Sequence, residues 1–284
     1  MTTGDGPTRA DQLPGRGGES EPDGYAFGGE VSGTARQLAT IEELLDPYTL
    51  RTLDGLPLPR AAACWEAGAG AGSVARALAE RVAPAGGTVL ATDLDTGLLH
   101  GGPGLTVRRH DITGDPVPES AYDLVHARLL LLHLPSRARV LDTLVRSLRP
   151  GGVLVLEEWD CTAPPRARTA PGPGDAELAG RVVDGVLAVL RSHGTSMTWA
   201  REAPEALRRA GLVRVASSVD TAVWTGGGAG CRLLRINARQ LAAPLRRSGL
   251  TAGELRRYDR LTRSPALTTT AYPLVTSTGV RPRG

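Results

Sequence analysis

A chain of 284 residues with 41% apolar side chains can bury a real core, either as one sizeable α/β unit with additions or as two small domains. Its formal net charge of +3 is small and its basic residues are scattered, which argues against nucleic acid or an anionic membrane as partner and points to a small molecule. No apolar run, that at 129–132 included, exceeds five residues, far too short to span a bilayer, and the first 20 residues hold no apolar core of signal-peptide length.

Two further features of composition guide the reading. Every one of the 33 basic residues is arginine, so an arginine by itself is weak evidence for phosphate or carboxylate recognition. Cys64, Cys161 and Cys231 are far apart and form no C-x-x-C pair, which points away from a disulfide framework or zinc site and toward a reducing cytoplasm.

In chain order, residues 1–24 are rich in Gly, Pro, Asp, Glu and Ser, too polar to repay the entropy of ordering, and are expected to form a disordered tail. Residues 25–60 form an N-terminal helical segment: Leu38, Ile41, Leu44, Leu45 and Leu50 recur at three- and four-residue steps, as one or two amphipathic helices broken near Pro47 require. Across 61–160 short apolar runs alternate with helical patterns, the mark of a mostly parallel sheet. Strands are expected at 61–66, 88–93, 105–109, 122–127 and 152–158, with helices at 73–82 and 136–148. The remainder, 161–284, opens on a long loop, CTAPPRARTAPGPGD. Helices near 176–190 and 203–210 follow, then a strand at 213–220, helical stretches at 230–248 and 251–261, and a closing strand near 272–278. The architecture read here is α/β, a doubly wound, mostly parallel seven-stranded sheet of Rossmann-like type, with the two late helical stretches as lid insertions over its carboxyl edge.

The chemistry concentrates in ACWEAGAGAGSVARAL, where an apolar strand ends in Glu66, a turn carries Gly68, Ala69, Gly70 and Gly72, and a helix begins. Glycine serves where the backbone turns sharply and where a ligand must approach without meeting a β-carbon, and a helix N-terminus offers free N–H groups. The next strand ends in Asp93 followed by Leu94, at the distance from the glycines where a carboxylate holds a ribose diol. After the third strand come Asp111 and Ile112, a polar acceptor beside an apolar face, as an adenine ring requires. Gly70-x-Gly72-x-x-Ala75 also fits a relaxed dinucleotide fingerprint, which keeps a nicotinamide-dependent oxidoreductase as an alternative.

With these segments in view, the sequence resembles the class I S-adenosylmethionine (SAM) dependent methyltransferases from about Tyr25 to the C-terminus. EAGAGAG is similar to that family's first motif, TDLD to its second, HDI to its third, YDLVHARLLLLHLP to its fourth, and LRPGGVLVLEEWD to its fifth strand with the preceding turn. The resemblance implies SAM as cofactor. Glu66 would brace the turn, with Gly68, Ala69 and Gly70 along the methionine part. Asp93 and Leu94 would lie at the ribose, Asp111 and Ile112 at the adenine, and Ala127 and Arg128 at the methionine end and the acceptor. It implies methyl transfer to O, N or C of a small, possible secondary-metabolite acceptor; a SAM-binding protein of cyclase or regulatory type shares the same motifs. Where many relatives carry Arg-Leu in the N-terminal helix, this chain reads Arg36-Gln37-Leu38.

Several residues carry two readings. Tyr25 either closes over the substrate or anchors the tail. His133, in LLLLHLP, is either the catalytic base that takes the acceptor's proton or a loop-orienting side chain. His126 is a second candidate of that kind. Glu157, Glu158 and Asp160 either reach a substrate, pair with arginines or form a solvated strand end. No histidine pair has metal-ligand spacing, and no metal is expected.

Overall fold

The structure, a computed structural model, describes residues 31–283; the tail at 1–24 and Tyr25 lie outside them. One helix, α1 (Val31–Asp54), comes first. The alternating unit follows: β1 (Ala63–Ala67), α2 (Ser73–Val82), β2 (Thr88–Asp93), β3 (Leu105–Arg109), β4 (Tyr122–Arg128), α3 (Arg137–Ser147) and β5 (Leu148–Trp159). The rest runs β6 (Ala167–Thr169), α4 (Asp175–Ser192), α5 (Trp199–Arg209), β7 (Val213–Asp220), β8 (Val223–Thr225), α6 (Ala229–Gln240), α7 (Ala242–Arg247), α8 (Ala252–Leu261), β9 (Thr268–Thr270) and β10 (Leu274–Val280).

Seven strands form one sheet in the order β3-β2-β1-β4-β5-β10-β7. The pairs from β3 to β5 are parallel, and β10 runs antiparallel between β5 and β7. Parallel strands covered on both faces read as apolar runs, and the two faces here are distinct. On one, Val74, Leu78 and Val82 of α2 pack on Cys64, Val89, Leu124 and Val155. On the other, Val140, Leu141 and Leu144 of α3 and Leu207 of α5 pack on Trp65, Val125, Leu154 and Leu156. The chain leaves β1 toward β2 and β3 and returns to β4 on β1's other side, so the order reverses at the β1/β4 crevice. In such sheets ligands bind outside the carboxyl ends at that reversal.

Two expectations are corrected. The break near Pro47 does not occur, because Pro47 lies on the exposed side of α1 while Gln37, Thr40, Leu45, Thr49 and Leu53 continue one buried face through it. A proline forfeits one ladder bond, and burial of that face holds the helix together across the gap. The expected loop after Asp160 contains β6, which joins β9 and β8 in a three-stranded sheet. Strands of three residues are too short to show a period, and this sheet is knit by side chains: Thr270 Oγ1 accepts the Arg166 amide at 2.9 Å, and the Thr169 and Thr268 hydroxyls meet at 2.8 Å. The late helical stretch divides into α6 and α7, and α6 lies along α1, where the Gln37 amide donates to Asn237 Oδ1 at 2.8 Å in a buried contact.

Two glycines separate packing from propensity. A Cβ at Gly226 would stand 1.9 Å from the Ser264 carbonyl oxygen, whereas one at Gly180, inside α4, would meet nothing within 4 Å. Gly226→Ala is expected to cost at least about 1–3 kcal/mol and Gly180→Ala to add about 0.5–1 kcal/mol. Denaturant unfolding of the two variants checks the opposite signs.

Candidate functional site at the carboxyl edge of β1 and β4

Between β1 and α2 the backbone takes positive φ at Gly68 (69°), Gly70 (57°) and Gly72 (84°), a region where a β-carbon is costly. A Cβ on Gly68 would come 3.0 Å from Leu130 and one on Gly70 3.2 Å from Leu38 of α1, so the turn tolerates only bare backbone. Leu130 reaches that place because Leu129, just past β4, itself adopts φ 51°, a strained conformation for leucine. The Gly70 amide donates to Asp93 Oδ2 at 2.8 Å. The bracing of the turn therefore comes from Asp93, while Glu66, to which the resemblance gave that part, turns inward.

Asp93 is half-buried. Burial raises its pKa, and the amides of Gly70 and Asp95 pull it back. Its oxygens each accept one amide, Gly70 on Oδ2 and Asp95 on Oδ1 (3.1 Å), and an ionised carboxylate has about four acceptor positions. Capacity remains on it for hydroxyl donors such as those of a diol. Leu94 beside it is 47% exposed, an apolar surface held out at the sheet edge. Asp111 Oδ1 accepts the Thr113 hydroxyl (2.6 Å) and amide (2.8 Å), and these bonds lower its pKa; Ile112 packs partly on the core. The acceptors and surfaces thus fit an adenosine-bearing ligand lying across the ends of β1, β2 and β3. Ala127 is wholly buried and offers only its backbone. The Arg128 guanidinium donates to Asp46 Oδ1 and Thr49 Oγ1 of α1, both at 2.9 Å. The α2 N-terminus is likewise met by α1: the Ser73 amide donates to Glu42 (3.1 Å) and its hydroxyl to Asp46 (3.0 Å), acids where a helix dipole favours them.

The sequence reading underrated His126. Register places Glu66 directly beside His126, Glu157 two residues from His126's partner Val155 on the same face, and Thr276 directly beside Glu157. A polar row therefore crosses β1, β4, β5 and β10 on the α2 face. His126 Nδ1 lies 2.7 Å from Glu66 and Nε2 3.4 Å from Glu157, all three side chains buried. Glu157 also accepts the Thr49 hydroxyl from α1 and that of Thr276 (3.2 Å). Burial disfavours the imidazolium, but the Glu66 and Glu157 carboxylates outweigh it and raise the pKa to about 9. Burial would raise Glu157, yet bonds from His126 and Thr49 leave it lowered.

The solvated reading of the β5 acids is overturned, since Glu157, Glu158 and Asp160 are at most 5% exposed. They alternate faces at the strand end and each finds donors there. Glu158, pointing opposite to Glu157, accepts the amides of Leu131 (2.8 Å) and Leu132 (3.3 Å), and burial pushes its pKa up to about 8. Asp160 accepts Arg201 Nε at 2.7 Å and the Thr162 hydroxyl at 2.6 Å. His133 Nδ1 faces the Thr195 hydroxyl at 3.2 Å, and burial pushes its pKa down to about 4.

Residues 65–156 match the family profile of a methyltransferase domain. Over that segment the chain is similar to methyltransferase domains. That match covers the glycine turn, Asp93, Asp111 and, of the polar row, Glu66 and His126, and SAM is the cofactor that it implies. A trans-aconitate 2-methyltransferase from Azoarcus sp. (strain BH72) is 39% identical over 66 residues, 22% of this chain and 26% of the relative; the match spans about a quarter of that protein's length. In fold, a candidate methyltransferase of Haloferax volcanii, solved in complex with the Trm112 methyltransferase activator, superposes with a TM-score of 0.54 at 14% identity, over 92% of this chain and 100% of that one. YcgJ from Bacillus subtilis gives 0.51 at 12% identity, over 82% and 97%. No helix of the described residues is long and apolar enough to cross a membrane.

The polar row sets a pH dependence. A histidine whose folded pKa is raised from near 6.5 to about 9 contributes stability that is fully present below pH 6.5 and is lost as pH rises through about 9. Glu158, raised to about 8, acts in the same direction. The melting temperature should therefore fall between pH 7 and pH 9.5. At pH 7, His126→Ala leaves two buried carboxylates uncompensated, for an expected loss of about 3–5 kcal/mol. A flat alkaline limb in the wild-type protein, measured by calorimetry, would show that His126 is not held charged.

Proposed function

We propose that this protein transfers the methyl group of SAM to an oxygen, nitrogen or carbon nucleophile of a small molecule, in the cytoplasm. The observation that carries the reading is the Asp93 carboxylate, tied to the bare glycine turn through Gly70 at 2.8 Å and retaining acceptor capacity for both hydroxyls of a ribose. In this reading Gly68, Ala69 and Gly70 lie along the methionine part, with Glu66 behind them. Asp93 and Leu94 lie at the ribose, Asp111 and Ile112 take the adenine, and Ala127 and Arg128 border the methionine end. The small-molecule acceptor is supported by the trans-aconitate relative's name and by the scattered charge. The reducing compartment is supported by three free, buried cysteines.

Bound there, SAM supplies a methyl group already activated by its positively charged sulfur. The chain's task is to align the nucleophile and exclude water, and alignment alone can supply on the order of 7–11 kcal/mol. His133 holds a proton poorly at neutral pH, and its Nδ1 is engaged with Thr195; we assign it to orienting the turn after β4 rather than to proton transfer. His133→Asn should then leave the pH profile of turnover unchanged, whereas loss of the acid limb would restore it as the base.

Asp93→Ala should weaken SAM and S-adenosylhomocysteine by similar factors of at least about tenfold, since both carry the ribose and each charge-assisted bond contributes roughly 1.5–3 kcal/mol. Asp93→Asn should be milder, because the amide oxygen still accepts the Gly70 amide. Selective loss of SAM in calorimetric titrations would place the carboxylate at the sulfur instead. Incubation with methyl-labelled SAM and a metabolite extract of the producing cell tests the activity: label in a small molecule supports it, and label confined to protein or nucleic acid refutes it.

A further inference from the structure

Beyond the polar row, the carboxyl edge holds a second feature that the cofactor does not use. Trp159 of β5, Leu274 of β10 and Asp220 of β7 lie side by side in register, two residues past Glu157. With Leu44 and Tyr48 of α1, and with Trp224 and Tyr272, they line a half-open cavity of about 140 Å³. Trp159 stacks on Tyr272 with centroids 5.4 Å apart, and Trp224 meets Tyr272 edge-on at 6.2 Å. One strand spacing and two residues separate Trp159 from Arg128, about 8 Å along the sheet. The cavity therefore adjoins the methionine end of the cofactor site proposed above.

Its size and chemistry select the occupant. An apolar cavity of roughly 150 Å³ accommodates one six-membered ring, and ring walls favour a flat partner. A cage of rings with an acid also suits a cationic amine. Here, however, the acid is taken: Arg51 donates to Asp220 at 2.8 Å and stands 5.3 Å from the Tyr48 ring centroid. A second cation would meet that guanidinium, so the pocket favours a neutral ring. Among the described residues, Trp159 Nε1 is buried off the cavity's accessible surface with no hydrogen-bond partner, and a turn of the indole toward an oxygen on a bound ring would remove that cost. Burial holds the Tyr272 phenol well above its ordinary range, which keeps that wall uncharged.

We infer that this cavity anchors the methyl acceptor by a single neutral six-membered ring bearing an oxygen that accepts a hydrogen bond from Trp159. The acceptor role rests on the methyltransferase reading, whereas ring binding does not. The test uses phenol, toluene and tetramethylammonium as probes of the full chain by ligand-observed NMR, with SAM titrated into the same samples. Phenol should bind one to one and more tightly than toluene. Trp159→Phe should weaken phenol by roughly three- to tenfold and leave toluene unchanged. Ala222→Phe, which fills the cavity from its half-buried rim, should abolish both while SAM affinity stays within about twofold. With SAM bound, failure of phenol to bind, or preference for tetramethylammonium, overturns the inference. Phenol binding by a chain that does not bind SAM would instead overturn the methyltransferase reading and the acceptor role with it.

Discussion

One buried imidazole between two carboxylates organises the carboxyl edge. Glu66 and Glu157 stand on strands either side of β4, on one face and out of water, where two unpartnered negative charges would cost several kcal/mol each. His126 supplies the cation between them, and its raised pKa of about 9 keeps it charged at neutral pH. Glu157 then extends the arrangement to α1 through Thr49, which also accepts from Arg128, and Arg128 in turn reaches Asp46. Asp46 and Glu42 complete the line at the α2 N-terminus. The same helix places Leu38 over Gly70 and Tyr48 over the aromatic cavity, so the row of charges fixes the roof of both.

Much of the fold was legible because its signals are local. The strands at 88–93, 105–109 and 213–220 and the helix at 73–82 stand where the apolar pattern put them. Gly68, Gly70 and Gly72 could be recognised because each needs a backbone conformation that other residues take at a cost. Pro47 misled the reading for a physical reason: a proline marks a lost hydrogen bond, and nothing in the local pattern says that a continuous buried face on either side will make up for it.

The candidate site was legible only in part. Asp93 and Asp111 follow from their places after strands, but His126 sits between apolar neighbours and gains its partners only when β4 is laid between β1 and β5. The aromatic cavity is harder still, since Tyr48, Trp159, Trp224 and Tyr272 come from four separated segments, one of them a three-residue strand. A sequence read in order has no means of seeing them as one wall. The β5 acids show the converse, because three acids at a strand end look solvated until the alternation of faces sends Glu157 and Glu158 to different buried donors and Asp160 pairs with Arg201.

The account rests on an adenosine held by Asp93 while Glu66 remains committed to the polar row. A crystal structure with S-adenosylhomocysteine tests both parts at once. It should show the two ribose hydroxyls on the Asp93 carboxylate and Glu66 still within hydrogen-bond distance of His126 Nδ1. A ribose bound away from Asp93, or a Glu66 carboxylate turned from His126 to the ligand, would contradict it.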